Sequence, residues 1–310
     1  MRVVTGAEVA AALDDPSLID AIDDAFRSDA VVPVRHHHKI SGADATLLLM
    51  PAWNRSFIGV KTATVFPGNR ALGLASVMAS YLLLDGATGE PLALIDGREL
   101  TLRRTAAASA LASRYLSRPD CRTLLMVGTG ALAPHLIRAH CRVRPIRKVS
   151  IWGRTPEKAR ALAAAIDLPG VAVRATPDLA KAAMEADAIS CATMAREPLI
   201  RGAWLTPGMH IDLVGGYAPD MREADDNALR VARVFVDTRA GAMSEAGDIV
   251  DPIRRGAIPE SAVIGDLFDL AGGRCRGREK TSDITLFKSV GTALEDLTGA
   301  ALAFSRIQGV

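Results

Sequence analysis

Four basic residues in the first third of the chain stand among apolar or small neighbours. Lys61 lies inside the apolar stretch 57–65, Arg35 precedes that stretch, and Arg103 and Arg104 come just before an alanine-rich run. A charge in apolar surroundings is costly unless it pairs or faces a cavity, and guanidinium groups bind carboxylates through two parallel hydrogen bonds. Taken singly, each is more often a surface residue. If they converge, they predict a site for a small molecule that carries a carboxylate.

A glycine-rich loop is the second candidate for chemistry. The apolar run Leu124–Val127 leads directly into Gly-Thr-Gly-Ala-Leu-Ala, which fits the pattern G-x-G-x-x-A and is typical of a buried strand turning into a helix. Gly128 would allow the tight turn, Gly130 would let the backbone approach a pyrophosphate, and Ala133 would keep helix and strand close. The N–H groups and dipole at the helix start favour phosphate. The loop predicts a dinucleotide-binding unit.

The end of the next strand bears on the choice of cofactor. Lys148–Trp152 is predicted to be a strand, and Pro156 suits the first turn of the helix after it. An NAD-binding unit usually places Asp or Glu between them, on the ribose hydroxyls. Here Gly153 and Arg154 occupy that place. An arginine suits a 2′-phosphate, so NADPH is the predicted cofactor, with NADH as the alternative; Arg154 as a solvated loop residue is the simpler interpretation.

The elements before residue 118 predict a small α+β domain. Two helices are expected between Thr5 and Ala30, broken at Pro16, with Thr5 and Asp15 as caps. Short apolar runs separated by turn residues then predict strands joined by hairpins, at Ala45–Met50, Phe57–Val65, Val77–Leu84 and Pro91–Ile95. Asp96 is expected to cap a long helix ending near Ser117. An antiparallel sheet of this size needs a covering partner, which favours dimerisation.

Beyond residue 118 the pattern alternates between strands and helices, as a doubly wound α/β fold requires. Further strands are expected at Val171–Val173, Ala188–Cys191, His210–Val214, Val234–Val236 and Ile284–Phe287, before a closing helix at Gly291–Ile307. The predicted fold class is therefore α/β: a Rossmann-type domain at 119–289 plus an α+β substrate and dimerisation domain with antiparallel strands at 1–118 and 290–310.

The composition limits the classes of partner that this protein is expected to bind. The chain of 310 residues is 49% hydrophobic with a formal net charge of +2, which predicts no nucleic-acid or membrane partner. Four scattered cysteines, with no signal peptide or long apolar run, favour a cytoplasmic protein with reduced thiols. The run His36–His38 alternates between the two faces of a strand, so no metal site is predicted. The basic loop 274–278 is predicted to be solvated, with phosphate or nucleic-acid contact as a minor alternative.

These motifs together resemble the ornithine cyclodeaminase/mu-crystallin family. The resembling segments lie in order along nearly the whole chain, at 59–62, 66–69 with 73–76, 102–107, 128–133, 208–216, and 287–291 with 295–297. The resemblance implies a Rossmann domain and a substrate and dimerisation domain, the latter built from the N-terminal part and the returning C-terminal helix. It also implies a homodimer that binds a small imino or amino acid.

The resemblance also implies roles for single residues. Arg35, Lys61 and Arg104 match the family's carboxylate-binding residues, in agreement with the choice made above from their surroundings. Asn69 is expected to contact the substrate, and Ser76 falls where the family often has a threonine beside the substrate. The candidate catalytic residues are Lys61, Arg104 and Ser76. The expected cofactor-binding residues are Thr105, Gly128, Thr129, Gly130, Ala131, Leu132, Arg154, Thr155, Thr193, Met194, Val214, Gly215, Lys288 and Ser289.

One departure from the family pattern separates its members. Ornithine cyclodeaminases carry an aspartate just after a Gly-Gly pair, and this chain has Tyr217 there. Without that carboxylate, deamination loses its general base. Together with Arg154, Tyr217 favours an NADPH-dependent ketimine reductase of amino-acid metabolism. The expected substrate is Δ1-pyrroline-2-carboxylate, with Δ1-piperideine-2-carboxylate as a second, giving L-proline or L-pipecolate.

Three other functions stay open at this point. An enzyme like alanine dehydrogenase would reduce pyruvate with ammonia or methylamine. A protein like mu-crystallin itself would hold NADPH and a small ligand with little turnover, although a pure binder has less need of all three cations. Ornithine cyclodeamination is the remaining alternative.

Overall fold

The computed structural model describes residues 1–42 and 44–309, with the backbone alone at residue 70. Packing divides the chain into two compact units, Met1–Thr105 with Thr292–Val310, and Ala106–Gly291. The first boundary falls inside a long helix and the second falls just before the last one. The substrate and cofactor roles expected for the two parts of the chain stay predictions.

The first unit contains a mixed six-stranded sheet. Its strands are β1 (Arg2–Val4), β2 (His36–Lys39), β3 (Thr46–Trp53), β4 (Phe57–Val65), β5 (Val77–Asp85) and β6 (Pro91–Asp96), in the order β1-β6-β5-β4-β3-β2. The four strands expected from the sequence are confirmed, and each pairs antiparallel with its neighbour. The sheet is not purely antiparallel, because β1 pairs parallel with β6. A three-residue strand is too short to show an alternating pattern.

Helices α1 (Gly6–Ala12) and α2 (Asp15–Ala25) follow β1, and α3 (Gly97–Leu116) follows β6. Thr5 caps α1 in a capping box with Glu8, as its position predicted. The expected cap of α2 at Asp15 is wrong by one residue: Asp14 accepts the hydrogen bond from the Ser17 N–H at 2.9 Å. The reason is that the proline after Asp15 stands in the first turn, where its missing N–H costs nothing, so the helix starts earlier.

The second unit contains eight parallel strands. In chain order its elements are β7 (Thr123–Val127), α4 (Ala133–Val143), β8 (Lys148–Trp152), α5 (Pro156–Ala165), β9 (Ala172–Ala175), α6 (Leu179–Met184), β10 (Ala188–Cys191), β11 (His210–Leu213), α7 (Asp226–Val231), β12 (Arg233–Val236), α8 (Arg239–Glu245), α9 (Gly247–Arg254), β13 (Val263–Asp266), α10 (Leu267–Ala271) and β14 (Thr285–Lys288). The strand order is β13-β12-β14-β11-β10-β7-β8-β9. This arrangement confirms the Rossmann-type fold.

The sequence did not predict α8, α9, β13 and α10. Each is only four to eight residues long, and such short segments give no readable periodicity. In the second unit the core forms from buried side chains of the central strands, among them Leu125, Ile189, Ile211 and Val234. Buried apolar residues on both faces are what a parallel sheet between helical layers requires.

The last helix, α11 (Ala293–Gln308), returns to the first unit. It packs against α1 and α2 and against β3, β4 and β5. Ile19 and Ile22 of α2 are fully buried, as is Ala300 of α11. One face of the sheet is thereby covered, and side chains that point to that face from β4 and β5 meet α11. Within the described residues, no helix has the length and apolar character that a membrane crossing needs.

Candidate active site

Lys61 points into the covered face of the first unit. Along β4 the buried positions alternate, so Gly59, Lys61 and Ala63 face the same side. This side is the one that α11 covers. The Lys61 ammonium lies 2.6 Å from Oδ2 of Asp296, and both side chains are almost fully buried. The ion pair explains how a lysine occupies an apolar strand.

Arg104 reaches the same carboxylate from α3. Its Nε lies 2.9 Å from Oδ1 of Asp296, and its Nη1 lies 2.6 Å from Oε2 of Glu295. Asp296 therefore bridges the two cations. Glu295 and Asp296 belong to the first turn of α11, where the helix dipole also favours negative charge.

Sequence reasoning did not select Glu295 and Asp296 as site residues. Both stand in an amphipathic helix among residues that the structure buries, such as Leu294 and Leu297. Two adjacent acids on the apolar side of a helix were the available signal, because buried charges need partners. These two acids could have been proposed as the partners that the basic residues of β4 and α3 need.

Arg35 completes the group of cations. Its side chain is half-buried, and its charge lies close enough to Lys61 to lower the pKa of that lysine. The three cations Arg35, Lys61 and Arg104 therefore come together in the first unit, where Glu295 and Asp296 pair with Arg104, and Asp296 also with Lys61. Three basic side chains so placed suit a ligand that carries a carboxylate.

The pKa of Lys61 is lowered from 10.5 to about 8. Burial is the largest cause, and repulsion from Arg104 and Arg35 adds to it, while Asp296 opposes the shift. At neutral pH the ammonium form prevails, yet the proton is more easily released than from an exposed lysine. Such a group can bind a carboxylate and can also donate a proton.

Tyr81 flanks Lys61 on the neighbouring strand, directly opposite in the register. Burial, and then the charge of Asp296, raise the pKa of its hydroxyl, so Tyr81 stays neutral. Its ring packs over Gly59, where a Cβ would lie within 1.8 Å of the hydroxyl oxygen. A side chain at Gly59 would displace Tyr81 and so disturb the wall beside Lys61.

Two other predicted residues lie in the connection between β4 and β5. The side-chain amide of Asn69 donates to the carbonyl of Ala75 at 2.9 Å. The carbonyl of the next residue, Ser76, accepts from the N–H of Phe66 at 2.8 Å. Asn69 thus holds the loop that carries Ser76. Their direct contact with substrate stays a prediction.

Arg103, the fourth cation considered from the sequence, has different contacts. It pairs with Glu99 at 2.7 Å and donates to the carbonyl of Leu13 at 2.7 Å. The side chain therefore ties α3 to the end of α1. This contact is sufficient reason for an arginine there.

In the second unit, the glycine loop has the geometry expected from its sequence. Gly128 has φ of 120°, and a Cβ on it would lie 2.5 Å from the carbonyl oxygen of Ala192. A side chain at Gly130 would meet nothing within 4 Å, so the loop leaves open space there. Ala133 is fully buried where α4 begins. No side chain caps α4, and the open cradle at a helix start fits a pyrophosphate.

Arg154 and Thr155 stand exposed between β8 and α5. A Cβ on Gly153 would lie 2.7 Å from Cγ2 of Thr129, which places this turn against the glycine loop. Thr155 occupies the cap position of α5, but its side chain makes no capping hydrogen bond. The arginine and the hydroxyl group thus lie next to the loop that would hold the cofactor phosphates.

The remaining expected cofactor residues follow neighbouring parallel strands. Thr193 and Met194 come after β10, and Val214 and Gly215 come after β11. Ligands of open α/β sheets bind at these carboxyl ends. Ala131 is exposed and Leu132 half-buried at the start of α4, whereas Thr105 lies in the first unit, half-buried in α3.

Lys288 and Ser289 differ from these residues, because both are buried at the end of β14. The Lys288 ammonium lies 3.3 Å from Oδ2 of Asp248, and neither side chain has any exposed surface. The Ser289 N–H donates to the carbonyl of Leu213 at 3.1 Å. The Lys288 side chain could therefore influence a cofactor only indirectly, through the residues that bury it.

The histidine run forms part of β2, whose side chains are all exposed. The rings of His36 and His38 lie on one face with centroids 6.4 Å apart. Over residues 1–42 and 44–309, no group of three or more His, Cys, Asp or Glu side chains is placed to hold a metal ion.

The family model described as ornithine cyclodeaminase/mu-crystallin family matches residues 1–309. The chain belongs to that family. The resemblance stated from the sequence is confirmed.

Proteins similar to the chain include two reductases and a dehydrogenase. The Δ1-pyrroline-2-carboxylate reductase of Paracoccus denitrificans is 41% identical over 281 residues, which is 87% of this chain and 89% of that protein. The Thermococcus litoralis reductase of the same name, in complex with NADH and L-proline, is 34% identical with a TM-score of 0.95, covering 100% and 99% of the chains. An archaeal alanine dehydrogenase dimer with bound NAD is 27% identical with a TM-score of 0.93, covering 100% and 97%.

Proposed function

We propose that this chain is an oxidoreductase acting on C=N bonds, which reduces Δ1-pyrroline-2-carboxylate to L-proline with a reduced nicotinamide coenzyme. The observation that carries the proposal is the group formed by the buried Lys61 and Arg104, the half-buried Arg35 and two buried carboxylates. Its guanidinium and ammonium groups suit a substrate with a carboxylate. The similarity to reductases from Paracoccus denitrificans and Thermococcus litoralis supports the same substrate.

In the proposed mechanism the cations fix the substrate through its carboxylate. Arg35 is the most accessible of the three and is the expected first contact. Arg104, held by Glu295 and Asp296, is expected to set the orientation. Holding the reacting carbon in one place supplies a large part of the rate enhancement, because the orientation is fixed before reaction.

Lys61 is the proposed proton donor. A bound reduced nicotinamide would supply the hydride that the C=N carbon accepts. As the C=N π bond breaks, the nitrogen takes a proton from the Lys61 ammonium, which becomes a neutral amine and regains its proton from water. In total the substrate gains two electrons and two hydrogen nuclei, one nucleus with both electrons as the hydride and the other as the proton from Lys61. The lowered pKa of Lys61, about 8, makes this transfer easier than from an ordinary lysine.

NADPH is the proposed coenzyme. Arg154 and Thr155 lie exposed beside the glycine loop, where the ribose of the adenosine half is expected, and the Thr155 hydroxyl makes no capping hydrogen bond. An exposed guanidinium there suits a 2′-phosphate. Reduction of the six-membered Δ1-piperideine-2-carboxylate to L-pipecolate is proposed as a second activity, since the carboxylate and C=N groups are the same.

A cytoplasmic homodimer is the proposed form of the protein. On the face of the first unit's sheet opposite to α11, a row of apolar residues crosses four strands in register: Val3, Leu94, Leu82 and Val60. Val3 is 66% exposed and Leu94 is 37% exposed. Covering such a row removes apolar surface from water. The dimer of the similar archaeal alanine dehydrogenase supports this arrangement.

The deciding experiment follows coenzyme oxidation with four substrate mixtures. Pyrroline-2-carboxylate and piperideine-2-carboxylate are offered beside pyruvate with ammonia and pyruvate with methylamine, each with NADPH and with NADH. Turnover of the cyclic imines supports the proposal. Turnover with pyruvate alone would make the chain a dehydrogenase like its archaeal relative. Tight NADPH binding without turnover would make it a binding protein.

A further inference from the structure

We infer that Glu223 is a positioning residue for the nicotinamide half of the coenzyme. It joins the loop after β10 to the loop after β11 and so fixes the shape of the surface against which the nicotinamide would lie. The inference rests on the proposed coenzyme site but not on the identity of the imine. Sequence reasoning did not select Glu223 as a site residue.

The hydrogen bonds of Glu223 reach both loops. Its Oε1 accepts from the N–H of Thr193 and from the hydroxyl of Thr193, each at 2.7 Å. Its Oε2 accepts from the N–H of Gly215 at 2.7 Å. Short bonds to a carboxylate are stronger than bonds between neutral groups. One side chain therefore fixes the ends of two adjacent strands.

The contact requires a glycine at position 215. A Cβ there would lie 2.1 Å from the carbonyl oxygen of Thr193 and 2.5 Å from Oε1 of Glu223. The two loops thus approach so closely that no side chain fits between them. This close approach gives the glycine a specific reason to be there: it lets the Glu223 carboxylate bond both loops.

Asp248 and Lys288 in turn hold Glu223 in place. Oδ1 of Asp248 accepts from the N–H groups of Glu223 and Ala224, at 2.8 and 3.1 Å. The Lys288 ammonium lies 3.3 Å from Oδ2 of the same aspartate. Glu223, Asp248 and Lys288 have no exposed surface. Burial raises the pKa of Glu223, the charge of Lys288 and the hydrogen bonds from Thr193 oppose that rise, and the charge of Asp248 adds to it. Lys288 therefore favours the ionised form that accepts all three bonds.

The place of these loops in the sheet assigns them to the nicotinamide. The strand order puts β8 on one side of β7 and β10 with β11 on the other. A dinucleotide crosses such a sheet at the point where the strand order reverses. With the glycine loop after β7 at the pyrophosphate and Arg154 after β8 at the adenosine ribose, the other half extends over the ends of β10 and β11.

The test separates the two halves of the coenzyme by using a fragment. Glu223→Gln places an amide nitrogen where one oxygen accepts, so at least one of the two loops loses its bond. Affinity for NADPH and for NADH is compared with affinity for ADP-ribose and its 2′-phosphate, which lack nicotinamide. We expect affinity for the complete coenzymes to fall about tenfold. Fragment affinity should change less than about twofold, because the glycine loop is untouched.

Asp187→Asn is the matched control. Asp187 accepts from the N–H groups of Arg122 and Thr123 and from the Thr123 hydroxyl, at the amino end of β7. Like Glu223 it is a carboxylate that accepts from backbone N–H groups, but its other oxygen pairs with Arg118 at 2.6 Å, and it lies at the opposite edge of the sheet. Its substitution should leave the ratio of coenzyme to fragment affinity unchanged. An equal loss of coenzyme and fragment affinity in the Glu223 variant would overturn the inference and leave only a structural role.

A measurement on the unaltered protein covers the case in which the Glu223 variant does not fold. The N–H groups of Thr193 and Gly215 should exchange slowly with deuterium before any coenzyme is added, because Glu223 already accepts their hydrogen bonds. Exchange as fast as in exposed loops would overturn the inference. Neither experiment uses an imino acid. Failure of the proposed substrate would therefore appear only in the turnover assay, with the binding result intact.

Discussion

Replacing Asp296 with Asn should move the pH dependence of catalysis to lower pH. Asp296 is the group that raises the pKa of Lys61 against burial and against the charges of Arg104 and Arg35. If the Lys61 ammonium is the active form, activity is full below its pKa and is lost as pH rises through that value. In the wild type, kcat/KM for imine reduction should therefore decline above about pH 8.

The size of the shift follows from the ion pair. An opposite charge as close as the 2.6 Å between Lys61 and Asp296 changes a pKa by about 1–3 units. Its removal should take the pKa of Lys61 from about 8 to roughly 5–7. At pH 7 the protonated share would fall from about nine-tenths to between roughly a half and a hundredth.

The assay is kcat/KM against pH for the wild type and two variants, with the same imine and coenzyme throughout. Titration of the substrate is then common to all three profiles. Glu295→Gln is the matched control, because it removes the acid bonded to Nη1 of Arg104 and keeps the pair between Lys61 and Asp296. In the Glu295→Gln variant, kcat/KM should start to decline within about half a pH unit of pH 8. An Asp296→Asn profile that coincides with the wild type would refute the assignment of Lys61 as proton donor.

Three further substitutions have defined outcomes. Lys61→Met keeps the length and removes the proton, so kcat should fall by about 10²–10⁴ with coenzyme affinity retained in a binding titration; an unchanged kcat would exclude the catalytic role. Arg154→Ser should raise KM for NADPH at least tenfold more than KM for NADH, with the exposed Arg160→Ser in α5 as control; equal changes would contradict phosphate binding. Leu94→Lys should shift the protein toward monomer in sedimentation, whereas Leu72→Lys, at a site 73% exposed outside the apolar row, should not; a dimer in both would place the interface elsewhere.

Local sequence was sufficient for the elements with a strong period or a strong turn signal. The strand β8 has the expected limits and the helix α5 starts where expected, because an apolar run and a proline in the first turn define them. The loop at Gly128 was predictable for the same reason, since its positive φ and the contact with Ala192 permit little but glycine. The region between β12 and β14 was not predictable, because its elements are short and owe their form to packing.

The two candidate sites differ in how far sequence could define them. The cations were visible because Arg35, Lys61 and Arg104 stand in unsuitable surroundings for a charge. Their partners were not visible, since Asp296 lies 192 positions from Arg104 and only the return of α11 brings them together. The bonds of Glu223 to Thr193, 30 positions away, likewise depend on two strands lying side by side.

By itself, the sequence determined the alternation of strands and helices, the glycine loop and the presence of costly charges. These are properties of neighbouring residues, set by side-chain period and backbone freedom. Only the tertiary structure decided which acids neutralise Lys61 and Arg104, how far the pKa of Lys61 falls, and which carboxylate joins the loops after β10 and β11. Those outcomes depend on distances of a few ångströms across the fold and on the water that burial removes, and a local pattern specifies neither.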